Sequence, residues 1–333
     1  MIKIAFFRFE ASSKIGAGHA IRSSVLADAL TEKAWQCKIV TSETSYNFIK
    51  DLERFERVDP DSFFEERPSC DLLVIDSYDL GEDYEKHFRD CTKKIMVIDD
   101  LANRKHDSDI LLDHTYGREA YDYKDLVPEG CKILAGSDYV LLRKEFVELR
   151  SKALEKRRAT KEIKRLLISM GGSDPENHAV KVLEIVRKSG FSGVIDLALG
   201  FSNHNRLLVE KYAQDFLLNV NIHLNPDMGE LIYQADLAIG GGGSSMWERS
   251  CLGLPTLMVV LADNQFSIAQ NLHKSGAAIY LGEINTIDVN DASTILKNLI
   301  QDNFQRERLQ NNSFQICNGQ GISSIIEVIN DVH

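Results

Sequence analysis

The chain has 333 residues, 44% of them hydrophobic, enough to build two domains with a core in each. Its formal charge of −11 and pI near 5.4 lack the basic field that nucleic acids and anionic membranes require, but still admit an anionic small ligand, because backbone amides bind phosphate whatever the net charge. Six cysteines without a C-x-x-C pair read as reduced thiols without zinc-ligand spacing, and no apolar run approaches the roughly 18 residues of a membrane span, so a cytoplasmic protein is expected.

Ile2–Phe7 is a short apolar run closely followed by Arg8, Glu10 and Lys14, and reads as a first strand, not a targeting segment. Cys37–Val40, Leu72–Ile75, Ile95–Ile98, Ile110–Leu112 and Ile133–Ala135 are similar runs, often β-branched, as suits strands buried on both faces. Between them, Ala20–Glu32 carries Ile21, Val25, Leu26 and Leu30 at helical spacing, and Glu82–Cys91 is a shorter helix. This alternation predicts a parallel sheet with crossover helices, whose ligands bind outside the carboxyl ends of the strands.

The first turn at such an end is Ile15-Gly16-Ala17-Gly18-His19. Gly16 and Gly18 let the backbone bend and approach a ligand closely. His19 stands at a helix N-terminus, where the positive end of the dipole favours the neutral imidazole that a general base needs; it could equally cap the helix or bind phosphate. The G-x-G-x-x-G dinucleotide fingerprint is not completed, because Ile21, Arg22 and Ser23 occupy the region of its third glycine. Asp76 and the pair Asp99-Asp100 end two further strands, as base candidates or as caps of the next turn. Asp107-Ser108-Asp109 has the D-x-D form used by metal-dependent sugar transferases, but it precedes a strand instead of following one, so no metal is expected there.

Lys144–Arg165 holds nine Lys/Arg and four Glu and reads as a solvated linker helix. The domain boundary is placed there, giving domains 1–158 and 159–333. The pattern then restarts. Leu166–Met170 is a strand that ends in Gly171-Gly172-Ser173-Asp174-Pro175-Glu176 and leads into a helix over Pro175–Lys188. Ser173 and Glu176 have capping-box spacing, and Gly171, Gly172 and Ser173 also suit a phosphate cradle. Asp196–Leu199, Val220–Leu224, Leu237–Ile239, Thr256–Val260 and Ala278–Tyr280 are further strands, with closing helices over Ala292–Asn303 and Ser323–Asn330.

Leu237–Ile239 runs into Gly240-Gly241-Gly242-Gly243-Ser244-Ser245. Four consecutive glycines are costly in backbone entropy, which makes sense if a diphosphate lies on exposed amides around Gly242, Gly243 and Ser244. Glu248 falls one helical turn on, placed to accept hydrogen bonds from two ribose hydroxyls or to complement the helix dipole. After Leu257–Leu261, Asn264 and Gln265 could bind sugar hydroxyls, or Asp263 or Asn264 could cap the helix to Lys274.

Taken together, these residues resemble the GT-B glycosyltransferase superfamily, in the branch of the peptidoglycan N-acetylglucosaminyltransferase, through Gly240–Gly243, Ser244, Glu248, Gly253-Leu254-Pro255 and Asn264-Gln265. The likeness narrows to the UDP-sugar hydrolases of pseudaminic acid biosynthesis. Ile15–His19, Ile75-Asp76-Ser77-Tyr78, Asp99-Asp100, Asp109–Leu112, Tyr123 through Val127-Pro128, Tyr139 through Leu142-Arg143 and Met170–Asp174 recur in order across about residues 1–280. The chain departs from that pattern at Ser77, where many members carry histidine, which leaves the choice among related diamino sugars open.

The resemblance implies an α/β protein of two Rossmann-like domains facing a cleft. It implies inverting, metal-independent hydrolysis of a UDP-linked diacetamido-trideoxy sugar at its anomeric carbon, with His19 activating water. Gly16, Gly18, Tyr78, Asn264 and Gln265 would surround the sugar, and Gly171, Gly172, Ser173, Gly242, Gly243, Ser244 and Glu248 would hold UDP. The expected partner is the UDP-sugar itself, with no nucleic acid, membrane insertion, metal or cofactor. The alternatives are a glycosyltransferase of the same fold and a nucleotide-sugar-binding module without turnover.

Overall fold

The computed structural model describes residues 2–12, 15–171, 174, 176–200 and 205–331. The chain divides into two compact units, Met1–Arg143 with Gly319–His333, and Lys144–Asn318.

The first unit is built on seven strands, β1 (Ile4–Phe9), β2 (Gln36–Val40), β3 (Glu56–Val58), β4 (Leu72–Asp76), β5 (Ile95–Ile98), β6 (Ile110–Asp113) and β7 (Lys132–Ala135). All pair in parallel, in the order β3-β2-β1-β4-β5-β6-β7. The helices on this sheet include α1 (Gly18–Thr31), α2 (Glu43–Phe48), α3 (Pro60–Glu66) and α4 (Glu82–Phe88). Strand periodicity sorts the apolar runs onto two faces. Phe7, Leu72, Val74, Met96 and Ile98 join one core, while Phe6, Leu73, Ile75, Ile95 and Val97 join the other. Strand order reverses between β1 and β4, and the turns after these two strands carry His19 and Tyr78.

The second unit opens with α5 (Lys144–Ala159) and continues β8 (Arg165–Ser169), α6 (His178–Ser189), β9 (Val194–Leu199), α7 (Arg206–Asp215), β10 (Val220–Leu224), α8 (Met228–Gln234), β11 (Leu237–Gly241), α9 (Ser245–Cys251), β12 (Thr256–Val260), α10 (Phe266–Lys274), β13 (Ile279–Glu283), α11 (Val289–Gln301) and α12 (Asn303–Ile316). Its strands are also parallel, in the order β10-β9-β8-β11-β12-β13, with the reversal between β8 and β11. The last helix, α13 (Gly321–Asp331), returns to the first unit, where Ile325 and Ile329 enter the core.

Three expectations change. The boundary falls at Arg143/Lys144 instead of 158/159, and residues 319–333 leave the second domain for the first. The reason is the role of α5, which is not a solvated linker. Phe146, Ala153 and Arg157 are buried on it. Lys156 donates to the carbonyls of Tyr233 and Gln234, and Arg157 to those of Ile232 and Ala235, so its cations satisfy the free carbonyls ending α8. Finally, α6 begins at His178, whereas Pro175, the expected start, lies outside the described residues; Asp174 caps the helix by accepting from the amides of His178 and Ala179 at 2.8 and 3.0 Å. Among the described residues no helix is long and apolar enough to cross a membrane.

Candidate active site

In the first unit the site grows from the carboxyl ends of β1, β4, β5 and β6. Gly16, at φ +88°, donates its amide to Ser12 O at 2.7 Å. Gly18 opens α1, so His19 sits in the first turn, as the sequence implies. His19 Nδ1 lies 2.5 Å from Oδ1 of Asp76, the last residue of β4. Arg22, one turn further along α1, grips the same carboxylate from Nε (2.7 Å) and Nη2 (2.6 Å), and reaches Asp100 Oδ2 from Nη1 at 2.9 Å. Ser23 Oγ adds a bond to Asp76 at 3.2 Å.

Burial alone would raise the pKa of Asp76, but Arg22 and then His19 hold it well below the usual carboxylate range. Burial likewise opposes the charge on Arg22, and Asp76 and Asp100 raise its pKa well above the ordinary value. An ionised Asp76 can only accept, so the proton of a neutral His19 belongs on Nδ1 and the lone pair on Nε2. Nε2 makes no hydrogen bond among the described residues. The arrangement is that of a general base oriented by a buried carboxylate.

Tyr78 stands edge-on to His19, with ring centroids 4.6 Å apart, and donates to Asp100 Oδ2 at 3.1 Å. Burial and then Asp100 push the pKa of its hydroxyl up. Ser77, the departure from the family pattern, accepts from Arg104 through its carbonyl and from the Asp79 amide through its hydroxyl. Asp99 takes the capping role left open for it, accepting from the Leu101 and Ala102 amides, and also receives a bond from Tyr123. Asp107 and Asp109 are both held by Arg89. The buried His114, just after β6, was not singled out from sequence. Burial and then Arg22 push its pKa down to about 4, against Asp100 and Asp76.

In the second unit the glycine run divides its work. Gly240 and Gly241 finish β11, while Gly243 and Ser244 are exposed in the turn before α9. The amide of Gly242 is not open to a ligand, because it donates to Gln265 Oε1 at 3.1 Å. The same oxygen accepts from Leu261, also at 3.1 Å, so Gln265 clips the turn to the end of β12. Neither Asp263 nor Asn264 supplies a capping hydrogen bond to α10, and Asn264 is exposed. Glu248 is buried in the first turn of α9. Gly171 adopts φ +88° after β8, with open space where a side chain would be; Gly172 and Ser173 lie outside the described residues. The expected site residues therefore fall in two clusters, one at the switch point of each sheet. His19, Gly16, Gly18 and Tyr78 are in the first unit, and Gly171, Gly242, Gly243, Ser244, Glu248, Asn264 and Gln265 in the second.

Comparison with known proteins defines the class. Two parallel Rossmann-like sheets in one chain are shared with MurG of Acinetobacter baumannii, at a TM-score of 0.69 and 13% identity over 98% of this chain and 99% of that one. Residues 197–328 match the glycosyltransferase family 28 C-terminal domain. The chain has the fold of the GT-B enzymes. Its sequence is 29% identical to the UDP-2,4-diacetamido-2,4,6-trideoxy-β-L-altropyranose hydrolase of Campylobacter jejuni, over 81% of this chain and 96% of that protein. It is 30% identical to an uncharacterized protein of Methanocaldococcus jannaschii over 79% of this chain, a match spanning 56% of that relative's length.

Proposed function

We propose that the protein is a nucleotide-sugar enzyme that hydrolyses a UDP-linked diacetamido-trideoxy sugar at C1, releasing UDP and the free sugar for nonulosonic acid synthesis. The observation that carries this reading is the His19–Asp76–Arg22 arrangement. Its imidazole is oriented by a carboxylate that is itself held ionised, with Nε2 left to take a proton. The similarity to the altropyranose hydrolase supports the same reaction.

In this reading the second unit binds UDP through the Gly243–Ser244 turn and Glu248, with Gly171, Gly172 and Ser173 cradling phosphate. The first unit supplies the base and, with Gly16, Gly18 and Tyr78, meets the sugar; Asn264 and the side-chain amide of Gln265 contribute further polar groups. Water loses a proton to His19 Nε2 as its oxygen bonds to C1. The bond from C1 to the diphosphate oxygen breaks, and the electron pair leaves with UDP, whose charge the backbone amides stabilise. Attack opposite the leaving group inverts C1. The arrangement calls on no metal or cofactor.

A glycosyltransferase is the second reading, favoured by the match of residues 197–328 to a glycosyltransferase domain. The test supplies the UDP-diamino sugar in H₂¹⁸O without an acceptor. Label in the C1 oxygen of the released sugar supports hydrolysis at carbon. Label in UDP means attack at phosphorus and overturns the mechanism. UDP release only after an acceptor is added favours the transferase.

A further inference from the structure

Arg249 lies in α9, one turn beyond the glycine run, and is only 1% exposed. Its guanidinium donates to Gly241 O from Nη2 at 2.6 Å and to Ser245 Oγ from Nη1 at 3.1 Å, both neutral acceptors. Its Nε is buried and has no hydrogen-bond partner among the described residues. Burial lowers its pKa to about 10, with its sequence neighbour Glu248 acting in the opposite direction, so it is a cation at neutral pH. Its hydrogen bonds go to neutral acceptors and the charge of Glu248 offsets its burial only in part, so a further anion at the turn would stabilise it.

The guanidinium lies directly against the backbone of the turn. A Cβ at Gly240 would meet Nη1 at 2.7 Å and Cζ at 2.9 Å. The first glycine of the run is therefore glycine to admit this charge, not to admit a ligand.

We propose that Arg249 is a positioning residue that provides buried positive potential for the phosphates of the nucleotide while holding Gly241 and Ser245 in place. The proposal rests on the reading that this unit binds UDP. A phosphate at the exposed Gly243–Ser244 edge is attracted across low-dielectric backbone, whereas an uncharged nucleoside in the same place gains nothing from Arg249. The role of Arg249 is therefore to discriminate by ligand charge, which a purely structural arginine would not do.

The experiment measures binding of UDP, UMP and uridine by calorimetry to the full chain and to its Arg249→Met and Arg249→Lys variants, with thermal unfolding of each. In Arg249→Met, UDP affinity is expected to fall roughly 10- to 100-fold, UMP affinity by less, and uridine affinity not at all. Arg249→Lys, which keeps the charge, is expected to retain most of the preference for UDP over uridine. Equal loss for all three ligands, or none for any, overturns the role of Arg249. If Arg249→Met does not fold, a folded Arg249→Lys that has lost the UDP preference overturns it instead. A wild-type chain that binds neither UDP nor uridine overturns the nucleotide reading on which the proposal rests, and is distinguishable because the variants play no part in it.

Discussion

His19 Nδ1 and Asp76 Oδ1 stand 2.5 Å apart, and the Nη2 of Arg22 holds that same carboxylate oxygen at 2.6 Å. The carboxylate thus faces an imidazole on one side and a guanidinium on the other. Only the guanidinium is permanently charged. This asymmetry keeps Asp76 an acceptor toward both of its neighbours.

If His19 and Asp76 act as one unit, their losses should not multiply. His19→Gln is expected to lower kcat by about 10²–10⁴-fold, and Asp76→Asn by a comparable factor, because an amide can donate to Nδ1 and fix the wrong tautomer. The double variant should be little worse than the poorer single one. UDP affinity should be unchanged in all three. Multiplicative losses in kcat would show that Asp76 acts apart from His19, and near-normal turnover in His19→Gln would point to another base, such as Asp100.

Two glycines test whether open space in each unit is reserved for a ligand. A Cβ at Gly18 would meet nothing within 4 Å, and one at Gly243 only Gln265 Nε2 at 3.9 Å. Neither has the positive φ that favours glycine. Alanine should therefore leave stability within about 1 kcal/mol at either position, with a slight gain at the helical Gly18. Gly18→Ala is nonetheless expected to lower turnover, and Gly243→Ala to weaken UDP binding, each by about tenfold or more through lost close approach. Variants that are stable and fully active would remove these glycines from the ligand site.

His114 should make the fold acid-sensitive. Its folded pKa is depressed to about 4, so between there and the ordinary histidine value of about 6.5 the unfolded chain binds a proton that the folded chain does not. Its contribution to stability is complete above about pH 6.5 and declines as pH falls toward 4, by up to about 3 kcal/mol. Urea unfolding at pH 4.5 and 7.5 should show a smaller difference for His114→Gln than for the wild type. An equal difference in both proteins would contradict the assignment.

The repeated strand–turn–helix order was legible because strands buried on both faces must be apolar throughout, as in Leu72–Ile75 and Thr256–Val260. The missed elements lack that signal. The edge strand β3 is only partly buried, and α12 buries Arg306, Gln310 and Ser313 beside its apolar residues, which leaves no clean stripe to read. The charge-rich α5 reads as solvated because the carbonyls that its cations satisfy lie 75 to 164 residues away.

The sequence by itself determined the alternating architecture, the turns that carry glycine and the presence of His19 in the first turn of a helix. These are local properties, fixed by side-chain periodicity and by what a turn sterically permits. The tertiary structure decided the partners. It brought Arg22 and His19 to an acid 54 and 57 residues away, set Gln265 on the amide of Gly242 and placed the Arg249 cation behind Gly240. Such pairings depend on which strands lie side by side at the switch of each sheet, and no local pattern of residues encodes that adjacency.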